Sequence, residues 1–109
     1  MKRSVFLHIA DVLKFYHSYE QSIEQCLQTV PYTPVEDRSA RNMVKYKNAV
    51  EVCIAKSDYL TNEVIRMLYF DRNPNLSNEG IAMELHIDRA TLYRHRDRFF
   101  EQMRKEIGW

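Results

Sequence analysis

The stretch LSNEGIAMELHIDRATLYRHRDRFFEQM, residues 76–103, decides the fold of this 109-residue chain. Ser77 is a good N-cap for a short first helix, whose apolar residues lie four apart and therefore share one face. His86 stands where such a turn usually has glycine, and histidine tolerates a positive φ better than most other residues. Ile87 is expected to place its side chain from the turn into the core, and Asp88 to cap a second helix. The pattern predicts a helix-turn-helix.

The second helix of this motif, from about Arg89, carries most of the local positive charge. The segment 89–98 contains four Arg and one Asp, a local balance of +3, whereas the whole chain has a formal net charge of +1. Recognition helices of this kind bring basic and polar side chains to base edges and phosphates in a major groove. The alternative interpretation is a packed helical hairpin whose arginines are only solvated, but the clustering of charge on one helix favours DNA binding.

The predicted DNA-contacting residues fall into two groups. Arg prefers a bidentate contact with guanine and a Tyr ring can meet a thymine methyl, so the start of the second helix is expected to read bases. Phosphate contacts are expected at the start of the first helix, which offers free N–H groups, and further along the second helix. The predicted base-reading residues are Arg89, Thr91, Tyr93 and Arg94. The predicted phosphate-binding residues are Ser77, Asn78, Arg96 and Arg98.

The N-terminal region, residues 1–57, is predicted to hold two helices. The first should run over about 4–29, where apolar residues follow spacings of four and three for several heptads. This stripe is either core packing within one chain or part of a dimer interface, because period alone cannot separate the two. Pro31 and Pro34 are expected to stop this helix and to hold the chain extended.

A second N-terminal helix is predicted over about 40–56, with an apolar inner face and a basic outer face. Its predicted inward residues are Met43, Val44, Tyr46, Val50, Cys53 and Ile54. The C-terminal region, 58–109, should hold three helices, because a two-helix motif needs a supporting helix to bury enough apolar surface. That supporting helix should begin after a cap at Ser57 or Asp58 and end near Phe70. The two regions are expected to form one compact domain.

Some residues with reactive or bulky side chains are expected to be structural. Cys26 and Cys53 lie far apart within helical patterns, so they are predicted to be buried free thiols and not a disulfide or metal pair. The last helix should stop at Gly108, and Trp109 is expected to dock on the core. The sequence has no HExxH, CxxC, Gly-rich phosphate loop or GxSxG, so we expect no enzyme, no catalytic or metal-binding residues and no cofactor.

Composition limits the fold class and the location. Two Gly and three Pro argue against a β-rich chain, which would need more turn residues. The expected class is all-α: a helical bundle with a C-terminal tri-helical helix-turn-helix unit and a long N-terminal helix. No apolar run is long enough to span a membrane, and the N-terminus is too interrupted for a signal peptide. A cytoplasmic protein without a membrane partner is therefore expected.

The segment 59–103 resembles region 4 of sigma factors. The matching stretches are EVIRMLYF at 63–70, SNEGIA at 77–82 and IDRATLYR at 87–94. A free-standing chain of this length, with a helical N-terminal part and an ending like IGW, is similar to the small phage late-gene regulators of the RinA and ArpU type. LYRHR at 92–96 resembles the recognition helix of that family. The resemblance implies a DNA-binding activator of phage packaging and lysis genes in Gram-positive hosts.

The leading prediction is a sequence-specific transcriptional regulator that binds double-stranded DNA. A single module of this kind binds weakly, so a homodimer or a partnership with RNA polymerase is expected. One alternative is a helical protein-interaction module, such as a phage adaptor or a partner of a sigma factor or polymerase, which the heptad stripe and the low net charge favour. Another is the DNA-recognition small subunit of a phage terminase, which shares the motif and differs only in its partners.

Overall fold

A computed structural model describes the backbone of residues 1–28 and 34–109, and side chains outside 26–37. Within these ranges the chain is helical and contains no strand, which confirms the predicted all-α bundle. A 3-10 turn (Tyr16–Ser18) follows the first helix, and a π-helical turn (Arg66–Phe70) continues the fourth. The helices are α1 (Arg3–Phe15), α2 (Tyr19–Gln28), α3 (Pro34–Lys56), α4 (Tyr59–Ile65), α5 (Asn78–Glu84) and α6 (Arg89–Ile107).

The predicted continuous helix over 4–29 is wrong, because the described part of this segment forms two helices. Phe15 has φ −99° and ψ 4°, outside the α-helical region, and the backbone then tightens into the 3-10 turn. The hydroxyl of Ser18 donates a hydrogen bond of 2.8 Å to the carbonyl of Phe15. Such a local side-chain bond offers the backbone an alternative to the α-helical ladder. The predicted end at Thr29 lies outside the described residues.

The third helix begins earlier than predicted, at Pro34 instead of near residue 40. A proline at the first helical position costs no hydrogen bond, because that N–H has no intrahelical partner, and its fixed φ suits the helix. Pro34 therefore starts a helix where it was predicted only to hold the chain extended. Val44 was predicted to face inward and is instead 41% exposed. It follows the core-packed Met43 by one residue, and one step turns a helix by about 100°.

The hydrophobic core has two clusters that share α6. The larger cluster joins α1, α3 and α6, and its bulkiest fully buried side chains are Phe99 and Phe100. The smaller cluster joins α4, α5 and α6 around Leu92 and Ile81. The start of α6, at Leu92, thus packs on the helix-turn-helix, and its later part, from Phe99 to Ile107, packs on the N-terminal helices. One element therefore sets the position of both. The described residues of the N-terminal apolar stripe belong to the larger cluster, so this stripe packs within the chain.

The chain ends with a capped helix and a docked indole. Gly108 has φ 86°, a left-handed conformation that glycine adopts without a Cβ clash, and it ends α6 as predicted. The ring of Trp109 stacks on His8, with centroids 4.7 Å apart, and also contacts Tyr46. The predicted docking is therefore confirmed. Cys53 is a buried free thiol, and burial raises its pKa to about 12, which suppresses thiolate chemistry. The side chain of Cys26 lies outside the described residues.

Candidate nucleic-acid interface

The helix-turn-helix has a side-chain cap at the start of each helix. The N–H of Gly80 donates to Ser77 Oγ at 3.1 Å, and the N–H of Thr91 donates to Asp88 Oδ1 at 2.7 Å. His86 adopts the left-handed conformation expected at the turn, with φ 57°. The half-buried Ile87 packs against the smaller core cluster. The caps, the strained turn residue and the apolar contact of the turn are all confirmed, and together they set the angle between α5 and α6.

A partly buried hydrogen bond joins α4 to α6. Thr61 is 1% exposed, and its Oγ1 lies 2.7 Å from Nδ1 of the half-buried His95. Hydrogen bonds from Thr61 to the Asp58 carboxylate hold the pKa of that cap below its usual value. His95 therefore occupies a position where apolar residues are common because it satisfies a buried hydroxyl. Sequence reasoning missed Thr61, although it lies three and four residues before the buried Val64 and Ile65.

A cleft opens where the loop before α5 meets the start of α6. Arg72 Nη1 donates to Asn78 Oδ1 at 3.0 Å, and Asn78 Nδ2 donates to the Tyr93 hydroxyl at 3.3 Å. The guanidinium of Arg89 lies 5.8 Å from the centre of the Tyr93 ring. The cleft has a volume of about 440 Å³. Its lining residues are Arg72, Ser77, Asn78, Glu79, Arg89 and Tyr93.

The electrostatic environment of this cleft is positive. The hydrogen bond from Asn78 lowers the pKa of Tyr93 from its ordinary value, and the nearby charges of Arg89 and Arg96 act in the same direction. Glu79 opposes them, with a carboxylate oxygen 3.9 Å from Arg89, but both side chains are exposed and such pairs are weak in water. The cleft therefore suits an anionic group better than a cation.

Basic side chains flank the exposed face at the start of α6. Ala90 is exposed and lies between Arg89 and Arg94, which are separated by about 140° around the helix axis. Arg98 follows Arg94 by one turn, and within the described part of the chain neither guanidinium forms a hydrogen bond or ion pair. Thr91 is half-buried next to its cap. The first two turns thus present a small central residue between two basic flanks.

The charge of α6 changes after these turns. Asp97 and Glu101 are on the exposed side, and each is paired with an arginine of the same helix. Arg96 is only 22% exposed, since its guanidinium contacts Asp97 and lies over two aromatic rings. It was predicted to bind phosphate together with Arg98, and the structure gives these two arginines different surroundings. Among the arginines of α6, only Arg94 and Arg98 therefore have no ion-pair partner in the described part of the chain, and the exposed Lys105 lies near the end of the helix.

The structure brings four of the predicted site residues together and adds two that sequence reasoning missed. Ser77, Asn78, Arg89 and Tyr93 line the cleft, whereas Arg94 and Arg98 lie on the other flank of α6. The missed residues are Arg72 and Ala90. Arg72 could have been identified as a basic residue five positions before the Ser77 cap. Ala90 could have been identified as a small residue two positions after the Asp88 cap.

No family model matches the sequence, and no match is found among curated proteins or solved structures. The resemblance to sigma factor region 4 and to the RinA and ArpU regulators stays a prediction. Among the described residues, no group of three or more His, Cys, Asp or Glu side chains could hold a metal ion, and no helix is long and apolar enough to cross a membrane.

Proposed function

We propose that this chain is a sequence-specific regulator that binds double-stranded DNA through α5, the turn and α6. The observation that carries the proposal is the exposed face of the first two turns of α6. Ala90 at its centre lets the helix backbone approach base edges closely, and Arg89 and Arg94 on its flanks extend toward the two walls of a major groove. Two side-chain caps and the His86 turn hold this face in place.

Base reading and phosphate binding are divided by position. Arg89 and Arg94 are exposed at the start of α6 and would make bidentate contacts with guanine, while Tyr93 and Thr91 would offer a ring and a methyl to thymine. Side chains around the cleft would hold a backbone phosphate beside the groove, and Arg98 would hold another on the far flank. The proposed phosphate-binding residues around the cleft are Arg72, Ser77 and Asn78.

The small size of this surface implies a second source of affinity. A single helix-turn-helix buries little area, so a homodimer on two half-sites or an association with RNA polymerase would supply the rest. A DNA-binding chain that acts with such a partner would fit the role of a phage late-gene regulator of the RinA and ArpU type in the host cytoplasm. A terminase small subunit would use the same surface with different partners. The heptad stripe gives less support to a pure interaction module, because its described residues are buried in the chain's own core or packed against it.

The proposal is tested by DNA binding of the purified full chain. Sites are first selected from randomised DNA duplexes, and affinity is then measured by fluorescence anisotropy at several salt concentrations, with random duplex as competitor. We expect Arg94→Ala to reduce the preference for the selected site about 5- to 150-fold. Arg104→Ala is the matched control, because Arg104 is on the same helix and is paired with Glu101. Failure to enrich any sequence, or equal losses in both variants, would refute the proposal.

A further inference from the structure

Arg96 connects two parts of the chain through its guanidinium. The central carbon of this group lies 4.7 Å from the centre of the Tyr93 ring and 4.9 Å from the centre of the Phe6 ring. Its Nε and Nη2 both donate to Asp97 Oδ1, at 2.9 and 2.8 Å. Phe6 belongs to α1 and packs on the buried Phe100, with ring centres 4.7 Å apart. A continuous set of contacts therefore runs from α1 to Tyr93 on the proposed DNA surface.

These contacts argue against a direct role for Arg96 on DNA. To reach a phosphate, its side chain would leave both aromatic rings and its carboxylate partner together. Arg98 has none of these contacts and is exposed, so it is available for a phosphate without any rearrangement. Two arginines that lie two residues apart on one helix would thus differ in role, because they lie on different sides of it.

The orientation of the Tyr93 ring depends on what surrounds it. Its hydroxyl accepts a hydrogen bond from Asn78, and its ring contacts the guanidinium groups of Arg89 and Arg96. Arg89 is an exposed residue at the first position of α6, whereas Arg96 is itself held by Phe6 and Asp97. The planar Arg96 group is therefore the better-anchored of the two cationic contacts.

We propose that Arg96 is a positioning residue, which holds the Tyr93 ring in its reading orientation and makes that orientation depend on α1. The inference rests on the proposed DNA-binding function. Lysine keeps the charge but lacks the planar group that lies over both rings. Arg96→Lys should therefore impair positioning nearly as much as Arg96→Gln, which a simple phosphate contact would not predict. Phe6→Leu should have the same kind of effect, although Phe6 is on another helix.

The decisive measurements are the preference for the selected DNA site and the salt dependence of binding. We expect Arg96→Lys, Arg96→Gln and Phe6→Leu each to reduce the preference over random duplex by roughly three- to tenfold, as for the loss of one cation–π contact. The slope of log K against log salt should stay unchanged in all three. Arg98→Gln is the matched control and should reduce the slope by about 0.9 with little change in preference. Adding Arg96→Gln to Tyr93→Ala should cost no further preference.

Two results would overturn the inference. A slope that falls by about 0.9 in Arg96→Gln and is restored in Arg96→Lys would make Arg96 a phosphate ligand. If the losses of site preference in Arg96→Gln and Tyr93→Ala add fully in the double variant, Arg96 does not act through Tyr93. Circular dichroism melts show whether each variant is folded, and the conservative Arg96→Lys keeps the test valid if Arg96→Gln unfolds.

A measurement without DNA separates this inference from the proposed function. In NMR spectra of the full chain, Arg96→Lys should shift the ring signals of both Tyr93 and Phe6, whereas Arg98→Lys should leave them in place. If the wild-type chain binds no DNA but these shifts occur, the coupling stands and the proposed function fails. If the wild-type chain binds its site and the ring signals do not move, the coupling fails and the DNA-binding function stands.

Discussion

The contact between Thr61 and His95 allows a quantitative prediction about stability. Replacing Thr61 by Val removes the hydroxyl that lies 2.7 Å from Nδ1 of His95 and keeps the branched shape of the side chain. His95 is half-buried, so water can partly replace the lost partner, and we expect a loss of about 1 kcal/mol. His95→Leu leaves the Thr61 hydroxyl, which is 1% exposed, without this partner. The hydroxyl keeps its hydrogen bond to the Asp58 carboxylate, so this loss should also cost about 1 kcal/mol, partly offset by the added apolar surface.

The double variant Thr61→Val/His95→Leu provides the sharper test. Replacing both partners of a buried hydrogen bond by apolar groups is close to neutral, so the double variant should be more stable than the sum of the single losses predicts. We expect a coupling free energy of about 1 kcal/mol. Urea unfolding measures it through the fluorescence of Trp109, the one tryptophan of the chain, which is docked on α1 and α3.

The expected size of the change is within the range of this assay. With a urea m-value of about 1–3 kcal/mol/M, a loss of about 1 kcal/mol moves the unfolding midpoint by roughly 0.3–1 M. Thr91→Val is the matched control, because Thr91 has the same relation to the α6 cap as Thr61 has to the α4 cap but is not paired with His95. Strictly additive losses for Thr61 and His95 would show that the two groups do not interact, and the account of His95 as a structural partner would be wrong.

Three further outcomes are expected from the surface and from the caps. Ala90→Glu should weaken binding to the selected DNA at least about tenfold, because it places a carboxylate on the proposed base-reading face of α6. Ala55→Glu makes an equal change of charge at an exposed position of α3 and should not weaken binding. Arg72→Ala should weaken binding to selected and random duplexes alike and reduce the salt slope by about 0.9, whereas Arg66→Ala should leave the slope unchanged, because Arg66 is paired with Glu63. Asp88→Asn should make stability fall less steeply in acid. The hydrogen bonds with Thr91 lower the pKa of Asp88 in the folded state. The stabilisation from this carboxylate is therefore fully present above the unfolded-state pKa of about 3.9 and is lost as pH falls through the folded-state pKa. Asn caps a helix as well as Asp, so stability at pH 7 should change little, and an unchanged acid limb would contradict this account.

Local patterns in the sequence were sufficient to predict the helix-turn-helix. A cap needs only a short polar side chain and the N–H groups that follow it within one turn, so Ser77 and Asp88 could be identified from their neighbours alone. The positive φ of His86 follows in the same way, because the turn needs a left-handed residue whatever packs around it. The inward residues Leu92, Phe99 and Met103 follow from helical periodicity and are all buried.

Elements that depend on distant contacts or on a choice between local states were not predictable in this way. The break after Phe15 lies in an apolar stripe that is equally compatible with one long helix, and a 3-10 turn leaves no clear mark on the period. Pro34 can end one helix or begin the next, and its position at the start of α3 depends on how that helix packs. Helical periodicity places Arg96 on the side of the buried Leu92 and Phe100 and Arg98 away from it, but nothing local indicates that the partner of Arg96 is Phe6.

The sequence by itself determined the helical class, the position of the turn and the concentration of arginines at the start of α6. These properties arise from interactions over a few residues, such as caps, turn conformations and the period of apolar side chains. The tertiary structure decided which side chains each arginine of α6 contacts, that His95 contacts a buried hydroxyl, and that Arg72 meets Asn78 and Tyr93 at one cleft. Each of these depends on side chains that are distant in sequence and adjacent only after the two core clusters have packed against α6.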